Sequence, residues 1–310
     1  MPEPPRILVI KLSAFGNIVL SVRPFAAIRA HHPEAEISIL TTPPYADWFA
    51  AMPYFDRVLV DHRPKWWDLA GLWRLWRMLR TGGFERIYDL QTSGRSSRYL
   101  RMFPRGKRPE WSGIAPGCSH PDRAPDRDRL HDLDRQISQL RQAGITEIPP
   151  LDLSWCHGDT TRFSLPGDLV LLVPGSSAHR PGKRWPPAHY NALAETLRAR
   201  GMTPVVLGSA GEQALARQIP AGFDLTGQTT PGDIADLARS ARVAIGNDTG
   251  PMHLIAAAGC PSVVLFSDHS DPALCAPRGP SVTVLHRPDL VRLDVAAVLD
   301  ALPAAAPVTA

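Results

Sequence analysis

The sequence of 310 residues contains no long hydrophobic run. Hydrophobic residues make up 44% of the chain and charged residues 21%, a composition typical of a soluble globular protein rather than a disordered one. No apolar stretch approaches the roughly 20 residues that a membrane-spanning helix requires. The apolar stretch near the N-terminus is too short and too mixed for a secretory signal. We therefore expect a cytoplasmic protein.

Cysteine is also scarce, and no two cysteines form a CxxC pair. This argues against a disulfide framework and against a cysteine-ligated zinc site. We expect reduced thiols at all four positions, which are Cys118, Cys156, Cys260 and Cys275.

Two familiar phosphate-binding signatures are missing. No GxGxxG turn follows the first predicted strand, which argues against a dehydrogenase. The GxxxxGK[ST] spacing of a P-loop is absent as well.

Positive charge is concentrated in the first half of the chain. Residues 1–155 contain 22 Lys and Arg against 17 Asp and Glu, a net charge of +5, whereas residues 156–310 contain 12 against 13. A cluster of basic residues contributes much of this bias and could meet phosphate groups of an anionic partner, although a solvated face is an equally good interpretation. Its members are Arg95, Arg98, Arg101, Arg105, Lys107 and Arg108.

What is present is an alternation of short aliphatic runs with longer amphipathic stretches, which predicts βα units and parallel sheets. The pattern restarts after a Pro-rich and Gly-rich region at residues 104–125 and a linker around 147–166. We therefore predict an α/β protein of two doubly wound, Rossmann-like domains, residues 1–155 and 156–310, which face a central cleft and bind ligand at the carboxyl ends of their strands. The predicted strands are 6–12, 36–41, 57–61, 86–90, 168–173, 203–207, 242–246, 262–266 and 282–285. The predicted helices are 18–31, 45–52, 67–80, 93–102, 128–143, 187–200, 211–218, 231–240, 250–258 and 291–302.

The strongest motif is VAIGNDTGPMHL, residues 243–254. A strand ends at its first glycine, Asp248 or Thr249 can cap the next helix, and Gly250 opens that helix. The free N–H groups of the first helical turn favour a phosphate ligand. His253, one turn into the helix, could reach the same ligand. The alternative is a well-capped buried helix with a structural histidine.

Two further turns follow predicted strands in the second half. The turn PGSSAHRPGKRW, residues 174–185, offers Ser176, Ser177 and the cation Lys183 to a phosphate. In the turn LGSAGEQ, Glu212 is placed to accept hydrogen bonds from a ribose or a base. An exposed basic loop is the alternative interpretation of the first of these turns.

These residues carry a resemblance to a known family. The stretches KLSAFGNIVLS, RIYDLQTSGRSS, PGSSAHRPGKRWP, LGSAGE and GNDTGPMHLIAAAGCPSVVLF resemble glycosyltransferase family 9, the bacterial heptosyltransferases of lipopolysaccharide core synthesis. The resemblance spans nearly the whole chain and implies the GT-B fold, with acceptor bound by the first domain and nucleotide-sugar donor by the second. It also implies direct displacement with inversion and without a metal.

Carried over by position, the resemblance assigns the donor phosphates to the two serines, the lysine and the start of the helix after the strongest motif. It places the ribose or base near Glu212, and the sugar near Asp248 and His253. The donor-binding residues are therefore expected to be Ser176, Ser177, Lys183, Glu212, Asp248, Thr249, Gly250 and His253. The acceptor-binding residues are expected to be Gly16, Gln91 and Arg95.

The sequence departs from the family at Asn17, where an aspartate is common. An amide has no useful basicity, so Asn17 cannot be the general base, and we expect it to orient the acceptor. Asp89, which ends another predicted strand, is the expected catalytic base.

The predicted function is transfer of a sugar, heptose from ADP-heptose, to a lipopolysaccharide or lipid A core acceptor. The donor is a substrate, and no cofactor or nucleic acid is expected. Peripheral contact with the inner membrane is expected from the acceptor's location. The alternatives are transfer from another nucleotide sugar, and a nucleotide-sugar-binding protein that lacks turnover because of Asn17.

Two other patterns invite a functional interpretation. The DxD pairs at Asp126, Asp128, Asp132 and Asp134 look like metal-binding signatures, but we expect them to pair with nearby arginines at a helix start. The tryptophan-rich stretch of residues 66–79 has a helical hydrophobic spacing, and we expect most of it to pack against the sheet. Trp66 and Trp67 are left as candidate exposed anchors, and a helix that lies at a membrane surface is the alternative for the whole stretch.

Overall fold

The structure is a computed structural model that describes residues 3–176 and 180–303. Between Trp155 and Cys156 the chain divides into two compact units, each with its own sheet and core. Every strand pairing in both sheets is parallel over the described ranges.

The first unit contains a six-stranded sheet in the order β3-β2-β1-β4-β5-β6, the order of a doubly wound nucleotide-binding fold. Its strands are β1 Arg6–Ile10, β2 Glu36–Thr41, β3 Arg57–Val60, β4 Arg86–Asp89, β5 Glu110–Gly113 and β6 His120–Pro121. Its helices are α1 Phe15–Leu20, α2 Val22–His31, α3 Ala46–Ala50, α4 Leu69–Thr81, α5 Gly94–Tyr99 and α6 Asp132–Gln142.

The second unit repeats this order around its own first strand, as β12-β11-β10-β7-β8-β9. Its strands are β7 Leu169–Val173, β8 Thr203–Val206, β9 Phe223–Asp224, β10 Val243–Asn247, β11 Ser262–Phe266 and β12 Val282–His286. Its helices are α7 Pro187–Ala199, α8 Gln213–Ala216, α9 Pro231–Ser240, α10 Gly250–Ala257, α11 Pro272–Cys275 and α12 Val295–Asp300.

Each sheet is covered by apolar helix faces, as expected for parallel strands that are buried on both sides. In the first unit, Leu8 and Ile10 of β1 belong to a buried cluster that includes Leu75 and Leu79 of α4. In the second unit, the strands pack on a cluster that includes Trp185, Tyr190, Leu193 and Leu197. These two cores hold the carboxyl ends of the strands in place.

The region of residues 104–125 was predicted to separate the two halves, and this is wrong. It contains β5 and β6 of the first sheet, which pair with β4 and with each other. Trp111 of β5 is fully buried and belongs to the first core. Two more short elements, β9 and α11, were also absent from the prediction, as was the break between α1 and α2 at Ser21. Such short segments carry too few residues for a periodic pattern.

The prediction that most of the tryptophan-rich stretch packs against the sheet is also wrong. Only Gly71, Leu75 and Leu79 of α4 are buried. Leu69, Trp73 and Trp76 are 75%, 54% and 41% exposed, and Trp66 and Trp67 before the helix are 80% and 58% exposed.

One aspartate of each DxD pair contacts an arginine. Asp128 forms an ion pair with Arg127 at 2.9 Å, and Asp132 forms one with Arg135. All four cysteines are free thiols. Within residues 3–176 and 180–303, no helix is both long enough and apolar enough to cross a bilayer.

Candidate active site

In the second unit, the predicted donor-binding residues that the structure describes lie at the carboxyl edge of the sheet, in the turns after its strands or in the first turn of α10. β7 and β10 are hydrogen-bonded neighbours, with Val173 opposite Gly246. The turns that follow these two strands therefore lie side by side, where doubly wound folds bind their ligands.

Asn247, the last residue of β10, joins the two turns. Its fully buried side chain donates from Nδ2 to the carbonyl oxygen of Pro174 at 2.7 Å. Its Oδ1 accepts hydrogen bonds from the Trp185 amide at 3.0 Å and the Tyr190 hydroxyl at 3.1 Å. Asn247 was not selected from the sequence. The available signal was an amide directly before Asp248, in a strand that is otherwise apolar.

Lys183 and Asp248, which the sequence assigned to phosphate and sugar, form an ion pair with each other. Lys183 Nζ lies 2.5 Å from Asp248 Oδ2, and both residues are only 9% exposed. The carboxylate fixes the ammonium group at the edge of the sheet and uses one of its three donors. The remaining two donors are chemically suited to phosphate oxygens.

Helix α10 begins directly after this pair. Thr249 occupies the N-cap position, but its side chain makes no capping hydrogen bond, so the predicted side-chain cap is not formed by Thr249. Pro251 lies in the first turn of α10. Its missing amide hydrogen removes no helical hydrogen bond there, because the first amides of a helix have no acceptor within the helix. Thr249 and Gly250 are half-buried, and His253 is 5% exposed. The uncapped start of α10 suits an anion.

Ser176 is held by the basic loop that follows it. Its hydroxyl oxygen accepts from Arg184 Nε at 3.1 Å, and its carbonyl oxygen accepts from the other end of that guanidinium at 3.1 Å. The predicted residue Ser177 lies outside the described residues.

Glu212 lies against the turn that contains Gly175. Its Oε2 accepts hydrogen bonds from the Ser209 amide at 2.7 Å and the Ser209 hydroxyl at 2.9 Å. A Cβ at Gly175 would stand 1.9 Å from Glu212 Oε1. The glycine therefore permits the carboxylate to approach the turn after β7.

In the first unit, the turn after β1 is fixed by its neighbour after β4. Gln91 Oε1 accepts hydrogen bonds from the Leu12 amide at 2.8 Å and the Ser13 amide at 3.0 Å. Lys11 is buried and donates from Nζ to the Leu90 carbonyl oxygen at 3.0 Å. Burial lowers the pKa of Lys11. These contacts position the start of α1.

Gly16 is buried and Asn17 is half-buried in the first turn of α1. The backbone oxygen of Asn17 accepts from the Ser21 hydroxyl at 2.6 Å. That hydroxyl also lies 2.7 Å from Gln136 Oε1. The Asn17 side chain makes no hydrogen bond to any other described residue.

Asp89 ends β4 opposite Ile10, so it lies beside the strand that leads to Asn17. It is 0% exposed, and its Oδ1 accepts from the Thr92 amide at 3.0 Å. Burial raises the pKa of Asp89 to about 7, against the opposing effects of local hydrogen bonds and the Lys11 charge. A pKa near neutrality is suited to general acid–base chemistry.

Arg95, a member of the basic cluster, is paired with a buried carboxylate that was not selected from the sequence. Its guanidinium lies 3.2 Å from a carboxylate oxygen of Asp61, a residue that is 1% exposed. Tyr99 donates to the same carboxylate. Burial, together with this hydrogen bond to Asp61, raises the pKa of Tyr99 above its ordinary value. Asp61 thus anchors Arg95, which is itself about one-third exposed.

The two parallel six-stranded sheets, each in the doubly wound strand order, define a pair of Rossmann-like units, the architecture of the GT-B class. Within the described residues, no group of three His, Cys, Asp or Glu side chains is placed to hold a metal. A sequence model of glycosyltransferase family 9 (heptosyltransferase) matches residues 72–292. The chain belongs to this family and is a glycosyltransferase.

Relatives agree with this assignment. The chain is 26% identical over 314 aligned positions to lipooligosaccharide heptosyltransferase 2 of Haemophilus ducreyi, covering 90% of this chain and 85% of that protein. The solved structure of Escherichia coli ADP-heptose LPS heptosyltransferase II has a TM-score of 0.76 at 22% identity, covering 95% of this chain and 96% of that one. The E. coli heptosyltransferase WaaC with ADP has a TM-score of 0.72 at 18% identity, covering 95% and 98%.

Proposed function

We propose that the protein transfers heptose from ADP-heptose to a lipopolysaccharide core acceptor, with inversion at the anomeric carbon and without a metal. The observation that carries the proposal is the ion pair of Lys183 and Asp248 at the uncapped start of α10. Similar proteins are named as lipopolysaccharide heptosyltransferases, and one of them is described with ADP. The second unit is proposed to bind the donor and the first unit the acceptor.

The proposed reaction is a single displacement. The acceptor hydroxyl oxygen forms a bond to the anomeric carbon while the bond from that carbon to the diphosphate oxygen breaks. ADP leaves with the electron pair of the broken bond. Lys183 and the amides of the first turn of α10 stabilise the charge that develops on the diphosphate. Because these groups supply the positive charge, the proposed reaction needs no metal ion.

The proton of the acceptor hydroxyl goes to Asp89 in this proposal. A pKa of about 7 gives the carboxyl group useful basicity at neutral pH. Asp89 is 0% exposed, so the proposal requires that its carboxyl group becomes accessible when the acceptor binds. Asn17, which lacks basicity, orients the acceptor hydroxyl through its amide.

A direct assay tests the proposal. Purified protein is incubated with ADP-heptose and a lipopolysaccharide core acceptor, and released ADP and glycosylated acceptor are both measured. We expect both products to form at equal rates, and activity to survive a metal chelator. Binding of ADP without any turnover would instead favour a nucleotide-sugar-binding protein.

The donor requires a separate test, because the proposed donor turns are chosen for their fit to phosphate and ribose, which all nucleotide sugars share. Another nucleotide sugar is therefore the second candidate. A screen of ADP-, UDP- and GDP-linked sugars with detection of released diphosphate distinguishes the two. The proposal requires ADP-heptose to give the highest rate.

Asn17→Asp tests the role of the first turn. An acidic residue in the first turn of a helix is favourable, so we expect the variant to fold as the wild type does. We expect a lower rate of transfer, since a carboxylate cannot donate the hydrogen bonds of the amide. A higher rate would show that the turn accommodates a base and would contradict the assignment of Asp89.

The acceptor is a membrane lipid in this proposal, so we place the protein at the cytoplasmic face of the inner membrane as a peripheral protein.

A further inference from the structure

Helix α4 presents an aromatic stripe to solvent. Leu69, Trp73, Trp76 and Arg80 are spaced at i, i+4, i+7 and i+11, which aligns them on one side of the helix. All four are exposed. The opposite side contributes Leu75 and Leu79 to the core. The stripe is therefore not required for packing of this unit.

The segment before the helix extends the same apolar surface. Trp66 and Trp67 are 80% and 58% exposed, and their rings contact each other with centroids 5.3 Å apart. We name Trp66, Trp67, Leu69, Trp73 and Trp76 the tryptophan face. Exposed tryptophans in such number are unusual on a protein surface that only meets water.

Cations lie over three of the rings of the tryptophan face. Lys65 Nζ is 4.9 Å from the centre of the Trp67 ring. The guanidinium carbon of Arg77 is 5.3 Å from the centre of the Trp73 ring, and that of Arg80 is 5.3 Å from the centre of the Trp76 ring. Such contacts place positive charge directly beside apolar surface.

The charge of this segment has one sign. Residues 65–81 contain Lys65, Arg74, Arg77 and Arg80 but one acidic residue, Asp68. Asp68 accepts a hydrogen bond from the Gly71 amide at 2.8 Å and caps α4. The exposed cations of the helix therefore have no acidic neighbour within the helix itself.

We propose that the tryptophan face and its cations bind the surface of an anionic lipid bilayer. Tryptophan favours the boundary between headgroups and acyl chains, and basic residues are attracted to anionic headgroups. A second copy of the chain fits this face less well, since a symmetric contact would bring the arginines of two α4 helices together. This inference rests on the proposed function in one respect, because the proposed acceptor identifies which membrane the protein would bind.

Vesicle sedimentation of the full chain tests the proposal. Vesicles of equal parts phosphatidylglycerol and phosphatidylcholine are compared with vesicles of phosphatidylcholine alone. We expect binding to the anionic vesicles that weakens as salt is added, and weaker binding to the neutral ones. Absence of binding to the anionic vesicles would overturn the proposal.

Two double variants locate the contact. Trp73→Ser with Trp76→Ser should lower partitioning by about tenfold per ring, and Arg77→Glu with Arg80→Glu by at least about fivefold per charge. The matched controls are Phe223→Ser, an exposed aromatic residue of β9, and Arg217→Glu, an exposed cation after α8. We expect both controls to bind as the wild type does.

The variants also separate this inference from its competitors. Because the altered side chains are exposed, the melting temperature should stay near that of the wild type, and Trp66→Ser with Trp67→Ser serves as a second variant outside the helix. Light scattering that shows a dimer lost in the tryptophan variants would overturn the proposal in favour of self-association. Vesicle binding is measured without any substrate, so a failed transfer assay leaves its result intact.

Discussion

At the scale of single residues, the most consequential group is Asp89, because it is an acid buried without a full counter-charge. Its pKa is raised from 3.8 to about 7. Below pH 3.8 the group is protonated in both the folded and the unfolded chain. As the pH rises from there towards 7, only the unfolded chain releases the proton readily, so the contribution of Asp89 to stability is lost.

Asp89→Asn should therefore be better tolerated at high pH than at low pH. Between pH 4 and pH 8, we expect the unfolding free energy of the wild type to fall by up to about 4 kcal/mol relative to that of the variant. Thermal melting at several pH values measures it. Asp128→Asn, at an exposed carboxylate, is the control and should show no comparable change.

The same Asp89→Asn variant should lose transfer activity, and a fully active variant would exclude Asp89 as the base.

Lys183 is the second residue whose surroundings permit a sharp test. Lys183→Ala should weaken ADP binding by about tenfold or more, the worth of a hydrogen bond to a charged group. It should also destabilise the protein, because Asp248 is left buried without its partner. Titration calorimetry and thermal melting measure the two effects.

The double variant Lys183→Met with Asp248→Asn separates binding from folding. It removes both charges together, so we expect stability to recover relative to Lys183→Ala while ADP affinity stays low. Recovery of ADP affinity in the double variant would remove Lys183 from the phosphate site.

At the scale of elements, the site depends on close approach between turns. Gly175→Ala should displace Glu212, because the added Cβ would lie 1.9 Å from its carboxylate. We expect weaker ADP binding with a smaller effect on the melting temperature. Gly211→Ala is the matched control, since its Cβ would meet nothing closer than Ser209 Oγ at 3.8 Å. Equal affinity of the two variants would argue against a role for Glu212 in donor binding.

The elements also show how far the sequence could predict the fold. β7 is apolar throughout, and β1 and β11 are apolar after their first residues, Arg6 and Ser262, so these strands leave a strong local signal. β5 has one buried aromatic residue in four, and β6 and β9 contain two residues each, so no local pattern marks them. The exposed stripe of α4 has the spacing of a buried face, and only tertiary packing distinguishes the two.

The placement of the candidate site residues in the fold was predictable to a similar degree, while their roles stay predictions. Gly250, Glu212 and Lys183 could be selected because turn residues after a strand have local sequence signatures. The partners of these residues could not, since Lys183 and Asp248 are 65 positions apart and their pairing depends on adjacent strands. The same holds for Gln91, whose side chain binds the amides of Leu12 and Ser13 across 79 and 78 positions.

At the scale of the whole molecule, two units of the same strand order carry different turns. The predicted phosphate-binding residues all belong to the second unit, whereas Asn17 and Asp89 belong to the first. A repeated fold with unequal turns suits a reaction with two different substrates, because each sheet edge can be specialised for one of them.

Hydrogen exchange in the presence of ADP alone tests the proposal that the second unit binds the nucleotide. A ligand that binds the native state suppresses local opening at the segments it contacts. We expect slower exchange at residues 175–176, 207–212 and 249–253 of the second unit, and unchanged exchange at residues 11–17 and 91–95 of the first. The Lys183→Ala variant, at the same ADP concentration, should show weaker protection in all three segments. Protection that appeared mainly in the first unit would place the nucleotide there and would reverse the proposed roles of the two units.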